Sequence, residues 1–210
     1  MILKIVEFFS LLIKMNCGPI VFVGPSGIGK GTIEKAIMGK NPERFAFSVS
    51  HTTRAPRPGE TNGVEYNFIQ RQDMEQEIKD GKFLEFCEIH GNLYGTSFAA
   101  IRTVTESGRI CILDVNIDGA LAIHKTDLKP FIIFLKPVSL EALEARLRGR
   151  GTETDEVIRV RMHTAEEELR RLEEHKNVFN LIIVNDKMEE TIEAIHQGLK
   201  DHYGYDPLSK

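Results

Sequence analysis

The feature that most constrains the fold is a strand, a glycine-rich turn and a helix that follow one another near the start of the chain. Residues 19–23 (PIVFV) form a short apolar, β-branched run that predicts a buried strand. The turn, residues 24–31 (GPSGIGKG), leads into residues 32–38 (TIEKAIM), whose apolar residues recur at helical spacing. This order is typical of a phosphate-binding loop, because glycines let backbone N–H groups close around phosphate oxygens and the helix N-terminus adds positive potential.

The loop departs at one position from the usual phosphate-binding pattern, G-x-x-x-x-G-K-[ST]. Lys30 supplies a positive charge for the β- and γ-phosphates of a nucleotide. The next residue, where a hydroxyl would meet Mg²⁺, is Gly31, and the hydroxyl comes one residue later at Thr32. The Gly-Lys-Gly-Thr order resembles that of nucleoside monophosphate kinases such as adenylate kinase, which favours a variant loop over a glycine-rich turn with a surface lysine. The loop residues predicted to bind ATP are Gly24, Pro25, Ser26, Gly27, Ile28, Gly29, Lys30, Gly31 and Thr32.

Composition excludes several classes of protein. The chain has 210 residues, 41% of them hydrophobic and 28% charged, which is ordinary for one soluble globular domain with mobile parts. A net charge of −4 argues against a general nucleic-acid surface, so local clusters of Arg and Lys must meet any anionic ligand. Cys17, Cys87 and Cys111 are odd in number and lack metal-ligand spacing, which is typical of reduced thiols in a cytoplasmic protein.

Residues 1–16 are apolar but do not predict a membrane anchor. The apolar part is too short to span a bilayer and Glu7 interrupts it. A signal peptide is the alternative, but no small-residue cleavage site precedes the first strand. We therefore expect an N-terminal extension that need not be structured, or translation that starts at Met15.

The rest of the chain alternates strand and helix patterns. Apolar runs without polar alternation predict interior strands at 110–115, 131–135 and 181–184, with helical patterns near 97–107, 117–125, 139–148, 155–176 and 187–202. This alternation predicts an α/β fold, a doubly wound parallel sheet in three layers with the phosphate-binding loop at the carboxyl ends of its strands. Residues 49–96, rich in Gly and Pro, break the rhythm and predict a small, mostly β insertion.

Several longer motifs carry a resemblance to one family. Residues 48–60 (SVSHTTRAPRPGE) and 62–68 (NGVEYNF) closely resemble the substrate-binding segment of guanylate kinases. Four further segments resemble later motifs of that family and occur in the same order as in the family: residues 91–97, 112–115, 148–154 and 184–186. The resemblance covers roughly residues 18–202 and implies transfer of a phosphoryl group from ATP to GMP. It also implies a domain at 17–204 made of a core (17–48, 97–140 and 165–204), a GMP-binding subdomain (49–96) and a helical lid (141–164), followed by a C-terminal tail at 205–210.

The resemblance implies two sets of GMP contacts. Arg54, Arg57, Tyr66 and Tyr94 would hold the GMP phosphate, and two guanidinium groups on a proline-stiffened segment suit that dianion. Taken alone, such an arginine pair would more often be a solvated loop. Glu85, Ser50 and Thr96 would read the base: a carboxylate accepts two hydrogen bonds from guanine, whereas adenine offers no such donor pair. Without the motif, Glu85 would be assigned to the solvent face of a strand.

Phosphoryl transfer requires charge stabilisation and alignment, which the resemblance assigns to cationic side chains. The implied catalytic residues are Lys30, Arg57, Arg150 and Arg161, and Arg146, Asn185 and Asp186 would complete the ATP site. The alternative for the lid arginines is a solvated helix face, which we expect for Arg159, Arg170 and Arg171.

ATP and Mg²⁺ are the implied co-substrate and metal. Asp114 ends an apolar run, where a carboxylate would order the ion through water. Members of the family often carry a second carboxylate two residues later, whereas this chain has Asn116.

Two alternatives stay open at this point. The fold could serve as a guanylate-kinase-like binding module of a scaffold protein, although Lys30, Arg57, Arg150 and Arg161 are all retained here. The enzyme could also accept another monophosphate: Glu85 and Ser50 argue against AMP, and dGMP is expected as a secondary substrate. ATP and GMP are the expected partners of a cytoplasmic protein that binds neither nucleic acid nor membrane. A monomer is expected, with a dimer as the alternative.

Overall fold

The computed structural model describes residues 18–89, 91–149 and 153–204. The predicted N-terminal extension, the C-terminal tail and Arg150 lie outside the described residues. Within those ranges, no helix combines the length and apolar character needed to cross a membrane.

Nine strands, seven α-helices and one 3₁₀ turn make up the described part of the chain. In chain order they are β1 (Ile20–Val23), α1 (Lys30–Lys40), β2 (Phe45–Phe47), β3 (His51–Thr52), β4 (Asn67–Phe68), α2 (Arg71–Lys79), β5 (Phe83–Ile89), β6 (Asn92–Ser97), α3 (Phe98–Glu106), β7 (Ile110–Asp114), α4 (Ile117–His124), β8 (Phe131–Lys136), α5 (Leu140–Gly149), α6 (Asp155–Glu174), the 3₁₀ turn (Lys176–Val178), β9 (Leu181–Val184) and α7 (Met188–Tyr203).

Five parallel strands form the main sheet, in the order β2–β7–β1–β8–β9. The four apolar runs identified in the sequence are β1, β7, β8 and β9, and each of the five predicted helices is present within a few residues of its expected bounds. The edge strand β2 was not predicted, because three residues are too few to show a period.

Helices cover both faces of this sheet, as the continuous apolar strands require. On one face Val21, Leu113 and Phe134 pack with apolar residues of α3, α4 and α6. On the other face Phe22 and Ile133 pack with residues of α1 and α7. The predicted three-layer, doubly wound α/β fold is therefore confirmed.

A smaller four-stranded sheet, in the order β4–β3–β6–β5, occupies the predicted insertion at 49–96 and extends one residue beyond it, to Ser97. Strands β5 and β6 form an antiparallel hairpin, and β3 pairs antiparallel with β6 and parallel with β4. Met74 of α2, Phe83 and Leu93 form a separate apolar cluster beneath it. The insertion is thus mostly β, as predicted, with one helix, α2, that the sequence analysis did not identify.

The register of the main sheet brings two functional segments to one edge. Phe22 of β1 pairs with Asp114, the last residue of β7. The glycine-rich loop begins directly after β1, so the loop and Asp114 both lie beyond the carboxyl ends of neighbouring parallel strands. Ligands of doubly wound sheets bind at this edge.

Candidate active site

The glycine-rich loop has the backbone geometry of an anion site. Gly24, Gly27 and Gly29 adopt φ angles of 141°, 90° and 101°, in the range that favours glycine. A Cβ on Gly24 would lie 2.4 Å from the carbonyl oxygen of Leu135, so the loop lies close against the end of β8. Helix α1 begins at Lys30 with Gly29 as its N-cap, and no side-chain cap is present among the described residues. Its first N–H groups are therefore available to phosphate oxygens.

Lys30 and Asp114 face each other beneath the loop. Nζ of Lys30 donates to the carbonyl oxygen of Gly24 at 2.5 Å and lies 3.6 Å from Oδ1 of Asp114. Burial raises the pKa of Asp114, and the charge of Lys30 opposes this rise. Burial raises the pKa of several surrounding acidic groups, and the charge of Asp114 raises it further; these groups are Glu34, Tyr66, Glu85 and Glu168. Asp114 therefore disfavours ionisation of each of these groups.

A cleft of about 290 Å³ opens on the outer side of the loop. Its lining residues come from the loop, from α1, from α5 and from the segment between β9 and the start of α7; they are Gly27, Ile28, Gly29, Thr32, Ile33, Arg146, Asn185, Asp186 and Met188. The predicted ATP residues Arg146, Asn185 and Asp186 therefore meet the loop in one place.

Asn185 ties the cleft to the loop. Its Nδ2 donates to the carbonyl oxygen of Ile28 at 2.7 Å, and its Oδ1 accepts from Oγ1 of Thr191 at 2.9 Å. Arg146 donates from Nη2 to the carbonyl oxygen of Asn185 at 3.1 Å and from Nη1 to that of Ile28 at 3.4 Å. Asn185 is buried, so these contacts fix one wall of the cleft.

Besides Arg146, the lid helices supply a second described arginine to the loop. Nη1 of Arg161 donates to Oγ of Ser26 at 2.5 Å, and Nε of Arg161 lies 2.8 Å from a carboxylate oxygen of Glu153. Arg150, the other predicted lid arginine, lies outside the described residues. Arg159 is exposed and Arg170 pairs with Glu174 on the same helix, as expected of a solvated face.

Arg171 differs from the expected solvated residue, because it links two helices. Its guanidinium donates to both carboxylate oxygens of Asp118, at 2.5 and 3.0 Å. Asp118 lies in the first turn of α4 and Arg171 in the last turn of α6. The pair is partly exposed, so it contributes little to the stability of the fold.

Arg54, beside the smaller sheet, is fixed by an acidic partner and two aromatic rings. Both of its terminal nitrogens donate to Glu60, each at 2.9 Å, and its guanidinium carbon lies 5.4 Å from the ring centre of Tyr66 and 5.7 Å from that of Phe68. Tyr66 and Tyr94 pack edge to face with ring centres 5.9 Å apart. Hydrogen bonding to Glu60 raises the pKa of Arg54, and that to Arg54 lowers the pKa of Glu60. Three of the predicted GMP-phosphate residues are therefore brought together.

Arg57 is placed differently from Arg54. Its backbone N–H donates to Glu60 at 2.7 Å, and the residue is exposed. Glu60 therefore engages the side chain of Arg54 but only the backbone of Arg57.

Glu85 is buried on the β5–β6 hairpin, opposite Thr96. Burial raises the pKa of Glu85, while hydrogen bonding from Thr96 lowers it. A Cβ on Gly119 of α4 would lie 3.1 Å from Oε2 of Glu85, so the carboxylate reaches the first turn of α4. Ser50 directly precedes β3, and its carbonyl oxygen accepts from the backbone N–H of Asn67 at 2.8 Å.

Asn116 caps a helix. Its Oδ1 accepts from the N–H of Gly119 at 2.9 Å at the start of α4. The amide therefore contributes to helix stability.

Four residues near these groups were missed by the sequence analysis. Glu60 is paired with Arg54, Met188 lines the cleft, and Glu34 and Glu168 are acids near Lys30 and Asp114. Burial raises the pKa of Glu34 to about 8. The signal for Glu34 is its position between Ile33 and Ile37 on the apolar face of α1.

Comparisons with known proteins agree with this geometry. The family model described as guanylate kinase matches residues 16–202. The chain belongs to the guanylate kinase family. It is 48% identical over 191 residues to guanylate kinase 1 of Arabidopsis thaliana, with 91% of this chain and 48% of that protein covered. It is 46% identical over 183 residues to the guanylate kinase of Sus scrofa, with 87% and 92% covered.

Solved structures share the fold. The crystal structure of guanylate kinase from Anaplasma phagocytophilum superposes with a TM-score of 0.68 at 26% identity, covering 89% of this chain and 86% of that one. The SH3-kinase fragment of tight junction protein 3 superposes with a TM-score of 0.51 at 13% identity, covering 89% and 57%, which shows the fold alone. The chain spans about half the length of the plant relative and nearly all of the Sus scrofa protein.

Proposed function

We propose that the protein transfers the γ-phosphoryl group of ATP to GMP, giving ADP and GDP, and that it also accepts dGMP. One observation carries the proposal. Nζ of Lys30 in the glycine-rich loop lies 3.6 Å from Asp114 at the end of β7, and the buried carboxyl group of Glu85 lies against Gly119 of α4, the next helix, so a phosphate site and a guanine-type site lie at the same end of β7. Membership of the guanylate kinase family supports the same activity.

ATP would bind across the loop and the cleft beside it. The N–H groups at the start of α1 and the ammonium of Lys30 suit the β- and γ-phosphates. The cleft lined by Arg146, Asn185 and Asp186 would take the adenine, with Met188 as an apolar wall. Asn185 supports this assignment because its hydrogen bonds set the distance between the cleft wall and the loop.

GMP would bind to the smaller sheet through its phosphate and its base. Arg54, already oriented by Glu60, would meet the phosphate together with Arg57, Tyr66 and Tyr94. The exposure of Arg57 leaves its guanidinium available for this contact and for the transferring phosphoryl group.

Guanine would be selected by Glu85, with Ser50 and Thr96. The ionised carboxylate accepts from N1–H and the 2-amino group of guanine, whereas adenine would leave it buried and unpaired. The penalty for such an unpaired buried group is about 1–3 kcal/mol or more, which favours GMP over AMP by about 5-fold to 150-fold or more.

The residues of the site also suit Mg²⁺. Among the described residues, no cluster of three or more His, Cys, Asp or Glu side chains could hold a metal alone. Mg²⁺ usually keeps several waters and binds through one or two carboxylates plus nucleotide phosphates. Asp114 and the unpaired buried oxygen of Glu34 provide such carboxylates. When bound, Mg²⁺ would neutralise part of the negative charge of the phosphates.

The chain's own cations would stabilise the transfer itself. Lys30 and Arg161 approach from the ATP side, with Arg150 assigned by family resemblance alone, and Arg57 approaches from the GMP side. In this proposal the segments 49–96 and 141–164 move against the core and exclude water when both nucleotides are bound. The separate apolar cluster of the smaller sheet supports its motion as a unit.

The proposal also includes a cytoplasmic location and small-molecule partners. Cys87 and Cys111 are free, and burial raises the pKa of each thiol to about 12. Unreactive free thiols suit a reducing cytoplasm, where ATP and GMP would be the partners of a monomer.

A coupled ADP-release assay with Mg²⁺·ATP and GMP, dGMP or AMP tests the proposal. We expect GMP-dependent turnover, with kcat/KM lowered at least about 10²-fold in Arg57→Ala. Arg159→Ala, which removes another exposed arginine, is the matched control and should turn over as the parent does. Nucleotide binding without turnover would instead indicate a binding module.

A further inference from the structure

Glu34 is an ionisable residue on the buried face of α1. It is only 4% exposed, and its neighbours Ile33 and Ile37 belong to the apolar layer between α1 and the sheet. Its Oε1 is buried and has no hydrogen-bond partner among the described residues. An unpaired buried carboxylate is costly, so it requires a physical reason that packing does not provide.

The carboxylate points towards the loop. Side chains of a helix lean towards its N-terminus, so residue 34 reaches back over the turn that begins at Lys30. Oε2 of Glu34 lies 4.0 Å from the position that a Cβ on Gly31 would take. Lys30 and Asp114 both act electrostatically on Glu34. The oxygen therefore lies close to where a hydroxyl on residue 31 would be.

A carboxylate oxygen and a hydroxyl oxygen in this region are close enough to belong to one magnesium coordination sphere. Mg²⁺ binds oxygens at 2.0–2.1 Å in an octahedron, so two ligands of one ion are about 3–4 Å apart. The usual loop supplies a hydroxyl at position 31 for the ion, and Gly31 has none. A carboxylate in the same region can supply the missing oxygen.

We propose that Glu34 is the protein ligand that this loop offers to the nucleotide-bound magnesium ion, in place of the absent hydroxyl at position 31. The proposal rests on the proposed function, since it requires ATP to occupy the loop. Glu34 then supplies, from about one turn later in the helix, the oxygen ligand that Gly31 lacks.

The test is Mn²⁺ binding, followed by electron paramagnetic resonance, to the protein with a non-hydrolysable ATP analogue. We expect Glu34→Gln and Glu34→Leu to weaken Mn²⁺ binding about 10-fold or more, on the scale of lost metal-site residues. The double variant Gly31→Ser/Glu34→Leu should recover most of that affinity, because it rebuilds the usual hydroxyl.

Glu168→Gln is the matched control. Glu168 is a second acid on which Lys30 and Asp114 act, so it tests whether lost charge alone weakens the metal. We expect less than about a 3-fold change in Mn²⁺ affinity for this variant. Equal losses in Glu168→Gln and Glu34→Gln would overturn the proposal, as would unchanged affinity in Glu34→Leu.

Thermal unfolding without metal or nucleotide shows whether the variants fold. Glu34→Leu should raise Tm, since it replaces an unpaired buried carboxylate with an apolar side chain, while the Tm increase on adding Mg²⁺ and the analogue should shrink. A parent protein that shows no analogue-dependent Mn²⁺ binding would contradict the proposed function itself, and with it this proposal. Failure of the Glu34 proposal alone would leave parental binding intact.

Discussion

Replacing Asn185 with alanine should both destabilise the fold and loosen the cleft. The substitution removes the hydrogen bonds to Ile28 and from Thr191, each contributing about 1 kcal/mol net. It also leaves the Thr191 hydroxyl, which is 1% exposed, without its acceptor, at a cost of about 1 kcal/mol at the low end of the range. The total is about 3 kcal/mol, or a Tm decrease of roughly 6–12 °C for a chain of this size.

The assay has two readouts. Urea unfolding followed by circular dichroism gives the free energy, because the chain contains no tryptophan for fluorescence. Calorimetric titration with a non-hydrolysable ATP analogue gives the affinity, which we expect to fall about 10-fold because the Ile28 carbonyl anchors the loop to the cleft wall.

Asn180→Ala is the matched control. Oδ1 of Asn180 accepts from the backbone N–H of Ile132 at 2.8 Å, away from the cleft. Its loss should cost about 1 kcal/mol of stability and leave nucleotide affinity unchanged. The reasoning is refuted if Asn185→Ala unfolds at the parental free energy, or if both variants weaken nucleotide binding equally.

Three further predictions concern other parts of the site. Burial raises the pKa of Glu85, so GMP binding should weaken as the pH falls through a midpoint that lies above the ordinary glutamate pKa. Glu85→Gln should bind GMP weakly, and its affinity should not show this loss at acidic pH. Gly27→Ala places a Cβ at φ 90° and 2.7 Å from Leu147, so urea unfolding should show a loss of about 1–2 kcal/mol from backbone strain alone. Asp118→Asn breaks an exposed pair with Arg171 and should change stability by less than about 1 kcal/mol, with parental kcat in the coupled assay.

The fold could be predicted wherever neighbouring residues form a clear pattern. The interior strands are unbroken apolar runs, and the loop from Gly24 to Thr32 combines glycine spacing with flanking elements that leave few alternatives. Strand β2 and helix α2 were missed because three residues show no period and α2 has a single buried residue, Met74.

The candidate site was less accessible to sequence reasoning, because its contacts join distant residues. The hydrogen bond from Asn185 to Ile28 spans 157 positions, and no local pattern encodes it. Glu34 could have been noticed as a charge on an apolar helical face, but its missing partner is visible only in three dimensions. The catalytic and binding roles assigned by resemblance stay predictions, with Arg57 and Glu85 open to the tests above.

The most direct test of the central claim is a competition between two acceptors. The protein is incubated with Mg²⁺·ATP and equal amounts of GMP and AMP, and the nucleotides are separated by chromatography over time. We expect GDP and ADP to accumulate in equal amounts while the AMP pool stays constant. Consumption of AMP, or no GDP from a folded protein that binds ATP, would contradict the assignment of this chain as an ATP:GMP phosphotransferase.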